Sequence, residues 1–254
     1  MQSPGLLYYL TLGYQLLAML SAFAIGTLFF FKRSGTSTAN WLFGLLLLTC
    51  GGIQLHYIFA GTHLAAMNPN WPYLPIYFTL SLPVLFFYYI KFTLFPSYRA
   101  RSTDLKHGIL PIGQILYIWA IFFVPEWRIP GGRHFYNPFY GGTEQALFIG
   151  LFPVYTFFGY EYFRHKLKQK KGQFTRQLWY IHKLLKGSLF FFLAYSILAI
   201  SDFLLYKFFH LDLREYTLFA ALAAGSFSTL VFFFVVYGFQ VLLWGRKLLK
   251  GQKI

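Results

Sequence analysis

Seven apolar runs follow one another along the chain, each long enough to cross a hydrocarbon core of about 30 Å as a helix of roughly 20 residues. They cover approximately residues 6–31, 41–64, 72–95, 106–124, 143–163, 184–207 and 216–244. The pattern predicts an all-α polytopic membrane protein, a single seven-transmembrane-helix bundle over residues 1–254. Between the second and third runs, Met67-Asn68-Pro69-Asn70-Trp71-Pro72 is rich in turn formers and marks a helix boundary. Gly108, Pro111 and Gly113 weaken the start of the fourth run. Pro83 and Pro153 fall inside the third and fifth and are expected to kink them. The first run resembles a secretory signal at Ala22-Phe23-Ala24, but no basic segment precedes it and it continues to Phe31 before Lys32-Arg33. An uncleaved first helix is expected.

Basic residues orient this pattern. Lys32 and Arg33, Lys91 to Lys106, Arg164 to Lys186, and Arg246 to Lys253 occupy alternate connections and account for eighteen of the 22 lysines and arginines. Arg128, Arg133, Lys207 and Arg214 lie on the other side, so the positive-inside rule predicts an external N-terminus and a cytoplasmic C-terminus. Two connections are more than turns. Glu126 to Thr143 carries Pro, Gly and Asn among five aromatic residues and reads as a folded-over loop capping the outer end. Arg164 to Lys186 is strongly basic, and its Phe174, Trp179 and Tyr180 are spaced either as an amphipathic continuation of the sixth helix along the membrane surface or simply as a positive-inside signal with an aromatic belt.

Composition strengthens the membrane reading. Residues are 57% hydrophobic and 11% charged, far from the balance of a soluble domain. The net charge of +15 suits an anionic membrane surface. Its basic residues cluster at the ends of apolar runs and form no separate module, so membrane lipids are the expected partners and direct nucleic-acid binding is not expected. Cys50, the sole cysteine, falls inside an apolar run and allows no disulfide and no thiol metal site.

Polar residues inside apolar runs are the candidate chemistry, because an unsatisfied polar group in hydrocarbon costs several kcal/mol and normally faces the bundle interior. Asp202 lies near the outer end of the sixth run. Gln54 and His56 lie in the second, Gln15 in the first and Ser226 in the seventh. With the predicted orientation all five fall in the outer half, and together they predict an outward-facing ligand pocket, with Asp202 and His56 lining one cavity. The alternative for each is a plain helix-to-helix hydrogen bond, at about 0.6 kcal/mol. Gln114, Tyr155, Ser228 and Thr229 add further hydrogen-bonding groups. His56 and His63 share a helix face but stand about 10.5 Å apart along it, which argues against a shared metal ion. The small residues Ala220 to Ser226 read as a close-packing surface. No Ser-His-Asp set, histidine cluster, glycine-rich phosphate loop or Schiff-base lysine can be assembled.

The third-run segment Tyr77 to Lys91, followed by Asp104-Leu105-Lys106-His107-Gly108-Ile109-Leu110-Pro111 and by the long basic fifth connection running through Trp179, resembles the seven-helix membrane sensor region of AraC-type regulators of Bacteroidota. The resemblance covers nearly the whole chain. It implies a signalling role in a bacterial cytoplasmic membrane. Those regulators carry a cytoplasmic helix-turn-helix domain after the last helix, whereas ten residues follow Trp244 here, so their DNA binding is not carried over. Together these features predict a sensor-like binding module for a small or lipidic ligand, coupled through basic inner loops to a cytoplasmic protein partner. A lipid-modifying enzyme using Asp202 and His56 is the alternative, and a small transporter or membrane-complex subunit is a third.

Overall fold

The computed structural model describes residues 5–32, 37–61, 68, 70–128, 142–173, 175–213 and 216–248. Among them are seven α-helices: α1 (Leu6–Phe31), α2 (Ser37–Gly61), α3 (Ser81–Leu94), α4 (Ile109–Phe123), α5 (Gly142–Gln169), α6 (Arg176–Phe209) and α7 (Thr217–Leu248). Short 3-10 turns cover Trp71–Tyr73, Ser102–Gly108 and Pro125–Trp127. Six segments are long and apolar enough to cross a membrane, one of them combining the Ser102–Gly108 turn with α4. The exception is α3, whose 14 residues rise only about 21 Å.

Six helices close a ring in the order α1, α2, α3, α5, α6, α7, with α7 meeting α1 again and also touching α2. Helix α4 stands outside this ring and touches α3 and the Trp71–Tyr73 turn. Its Ile109, Ile112, Leu116 and Phe123 are exposed, as expected of a helix facing lipid. Lipid tails are as apolar as leucine, so close packing rather than water exclusion holds such a ring together. Aromatic side chains do much of this. Phe152 of α5 stacks on Phe192 of α6 with ring centroids 4.1 Å apart and on Phe86 of α3 at 5.4 Å. Phe43 joins α2 to α3 and α7 through tilted ring contacts with Tyr89 and Tyr237.

The predicted third span, 72–95, departs most from the structure. Helix begins only at Ser81, and Leu74–Leu80 is non-helical. Pro75 keeps Leu74 out of helical geometry, and Pro83, which donates no amide hydrogen bond and crowds the carbonyl four residues before it, fits a helix only in its first turn, so the helix starts at Ser81. Pro83 consequently falls in the first turn of α3, where its missing N–H would have no helical partner anyway, and the expected kink has no cause there. Pro153 does lie inside α5.

The basic connection also differs. Helix α5 runs on to Gln169 and α6 starts at Arg176, eight residues before the predicted boundary, so a short turn joins two long helices. Thr175 caps α6 by accepting from the Leu178 amide. Because α6 is one continuous helix, its basic first turns extend the transmembrane axis and do not fold over as a separate surface element. The connection from Glu126 to Thr143 lies mostly at 129–141, outside the described residues, as does His63.

Candidate functional site

Where α3 fails to start, the backbone of Leu74–Leu80 needs partners, because non-helical chain at membrane depth is tolerated only when protein satisfies it. Gln114 of α4 provides one and ties the segment to its neighbours. Its Oε1 accepts from the Leu80 amide at 2.9 Å, and its Nε2 donates to Thr79 Oγ1 at 3.1 Å and to Glu144 Oε1 at 3.3 Å. Glu144 opens α5 and is only 2% exposed. A carboxylate in the first turn of a helix sits against the positive end of the helix dipole. Gln145 beside it is also buried, and its Nε2 has no hydrogen-bond partner among the described residues.

The opposite wall of this irregular segment is α2. A β-carbon on Gly52 would come within 2.6 Å of the Ile76 carbonyl oxygen, so only glycine lets the segment lie this close. One turn further along, His56 packs its ring on Tyr77 at 4.4 Å. Tyr57 approaches Tyr77 at 5.8 Å between ring centroids and meets the Tyr195 hydroxyl of α6 at 3.5 Å, oxygen to oxygen. Phe227 of α7 packs against both Tyr57 and Tyr195. Residues from α2, α4, α5, α6 and α7 thus converge with the Tyr77–Leu80 segment at one end of the ring, where α2 and α6 finish and α5 begins.

The structure distributes the five predicted site residues unevenly around this centre. Gln54 is fully buried and donates to Ser228 Oγ of α7 at 2.9 Å, while its Oε1 has no partner among the described residues. His56 is fully buried against Tyr77. Asp202 is 3% exposed and lies on the Tyr195 face of α6, two turns nearer the helix end. Gln15 belongs to the buried face of α1. Ser226 is only half-buried and donates to the Ala223 carbonyl of its own helix at 2.7 Å, not to a neighbouring helix. The small-residue run around it makes no tight approach at Gly225, which has open space where a side chain would stand. Helices α2 and α6 face each other across the ring, so His56 and Asp202 come from opposite walls.

Sequence reasoning missed Glu144, Gln145, Tyr77, Thr79 and Tyr195. Pro75 was the available signal, since a second proline three residues after Pro72 breaks the third run and makes nearby polar residues candidate partners for the freed backbone. No sequence signal tied Gln114 to Glu144.

A second polar cluster closes the basic end. Lys91, near the end of α3, pairs with Asp104 at 3.2 Å, and both side chains are largely buried. Tyr98 donates to Asp104 Oδ2 at 2.5 Å and the Arg101 amide donates to it at 2.8 Å. The Lys91 ammonium also lies 3.9 Å from the centre of the Tyr98 ring. His107 and Tyr155 are hydrogen-bonded at 2.8 Å nearby. Every charged atom here has a near partner, which marks the cluster as a structural clamp between α3 and the Ser102–Gly108 turn. Among the described residues no group of three or more His, Cys, Asp or Glu side chains could hold a metal ion.

Compared with protein-family models, curated proteins and solved structures, the chain gives no significant match.

Proposed function

We propose that the chain is a sensor-like ligand-binding module of a bacterial cytoplasmic membrane, crossing it seven times with the N-terminus outside. The observation that carries this reading is the non-helical Leu74–Leu80 segment, lodged among Gln114, Glu144, His56 and Tyr57. In membrane proteins, interrupted helices with buried polar partners recur where substrates and ions bind. In this reading α3 and Leu74–Leu80 together make the third crossing, and the site takes a small or lipidic ligand from the outer side. Positive residues at the ends of α1, α3, α5 and α7 and at the start of α6 support the orientation. The resemblance to sensor regions of AraC-type regulators supports the signalling role, with the basic end facing a cytoplasmic partner.

Two measurements test it. Reporters fused after Lys253 and inserted at Gly131 should report the cytoplasm and the exterior respectively; the same side for both would remove the seven-span orientation. Ligand screening by thermal shift on purified protein should find compounds that raise the melting point of the native chain but not of folded His56→Ala and Asp202→Asn variants. Hits that stabilise all three proteins equally would place binding elsewhere and sink the site.

A further inference from the structure

Helix α6 carries an internal ruler for the membrane. The residues Gly187–Tyr206 are twenty in number and lie between Lys186 and Lys207. At about 1.5 Å per residue they rise roughly 30 Å, the thickness of the hydrocarbon core. The eleven residues Arg176–Lys186 then continue the same helix for about 16 Å beyond the core on the basic side. Headgroups occupy only roughly 5 to 7 Å per leaflet. Lys186 and Lys183 therefore stand within the headgroup layer, whereas Arg176, Lys168 at the end of α5, and Lys170 and Lys171 of the turn after it stand in water beyond it.

The side-chain pattern agrees with this depth. Arg176, Trp179, Lys183 and Lys186 follow one another at spacings of three and four and are all exposed, while Leu178, Ile181, Leu184 and Leu185 are buried on the opposite face. The Lys183 ammonium lies 3.7 Å from the centre of the Trp179 ring, which holds it on the exposed face. Neither Lys183 nor Lys186 pairs with a carboxylate among the described residues, in contrast to Lys91 and Arg164, which do. Two unneutralised ammonium groups one helical turn apart, at phosphate depth, lack only an anion.

We propose that Lys183 and Lys186 form a headgroup site for an anionic phospholipid, and that the lysines of the α5–α6 turn take no part in it. The proposal needs the chain to span a membrane but does not depend on the ligand-binding reading or on which side faces out. The probe is phosphatidylglycerol against phosphatidylcholine. The full chain is purified in detergent with an equimolar mixture of the two, and retained lipid is counted by native mass spectrometry. The native protein should retain phosphatidylglycerol severalfold over phosphatidylcholine, with the preference weakening as salt rises. Lys183→Gln/Lys186→Gln should lose most of that preference, whereas Lys168→Gln/Lys170→Gln/Lys171→Gln should keep it within about twofold. No preference in the native protein would overturn the proposal. So would an equal loss in both variants, which would mean diffuse charge, or a loss in the turn variant alone, which would mean a helix tilted over onto the surface. Melting curves confirm that each variant is folded. Lys183→Arg/Lys186→Arg, which keeps the charges, should restore the preference if the double glutamine protein proves unstable; failure of the folded arginine protein to do so also counts against it.

Discussion

At the basic end of the bundle, Asp104 receives Lys91, Tyr98 and the Arg101 amide within 3.2 Å, and Lys91 in turn rests on an aromatic ring. At the opposite end, Glu144 receives the Gln114 amide at 3.3 Å, Tyr57 and Tyr195 touch at 3.5 Å, and the buried Gln54 Oε1 and Gln145 Nε2 have no partner among the described residues. The first cluster is closed on itself. The second has hydrogen-bonding capacity left over at Gln54 and Gln145. Buried capacity of that kind costs about 1 to 3 kcal/mol per group unless something fills it, so it is retained where it serves binding more readily than where it serves stability. At the basic end Thr93 Oγ1, which has no hydrogen-bond partner among the described residues, lines a cavity of about 20 Å³ with Tyr89, Gln177 and Tyr237, room for one water.

The largest expected effect lies in the closed cluster. Asp104→Asn leaves the largely buried Lys91 ammonium without its counter-charge and should lower stability by about 3 kcal/mol, read as a melting-point drop in detergent. Lys91→Met combined with Asp104→Leu should recover part of that loss. A drop no larger than that of an exposed pair, under about 1 kcal/mol, would erase the distinction between the two ends.

Gln114→Leu comes next. It strands the Leu80 amide and Thr79 and removes a donor from Glu144, for an expected loss of about 2 kcal/mol. Hydrogen exchange at Leu80 should quicken in the same variant, which separates a local opening of the irregular segment from global destabilisation.

Two glycines sharpen the contrast further. Gly52→Ala drives a methyl into the Ile76 carbonyl oxygen, a backbone atom that cannot step aside, and should cost more than about 1 kcal/mol. Gly187→Ala also meets an atom, at 2.3 Å, but that atom belongs to the Phe233 ring, which can rotate away. The smaller melting-point change is expected at Gly187; the reverse order would mean that the segment before α3 yields more easily than an aromatic ring.

The smallest effect is a pH dependence at Lys32. Burial lowers its pKa from 10.5 to about 8 while its ammonium donates to the Val241 carbonyl at 3.0 Å. The folded chain therefore sheds this proton before the unfolded chain does. Its contribution to stability should rise between about pH 8 and pH 10.5, and Lys32→Met should flatten that rise in melting curves.

What could be read from the chain alone was whatever depends on composition along a single axis. Each long helix must bury its own backbone hydrogen bonds in lipid, so the six long apolar segments and the gathering of cations at one end of the helices were legible without a partner in view. Gln54, His56 and Asp202 were legible as buried for the same reason, since a polar group in an apolar run has few places to go. The short α3 was half legible, through Pro75. The pairing of those groups was not. Whether Gln54 meets Ser228, Tyr57 meets Tyr195, Gln114 meets Glu144 or Ser226 turns back on its own helix depends on the order of helices around the ring and on their rotation. Those are settled by packing among side chains far apart in the chain, such as the Phe86, Phe152 and Phe192 stack, for which apolar runs of nearly uniform hydropathy carry no directional signal.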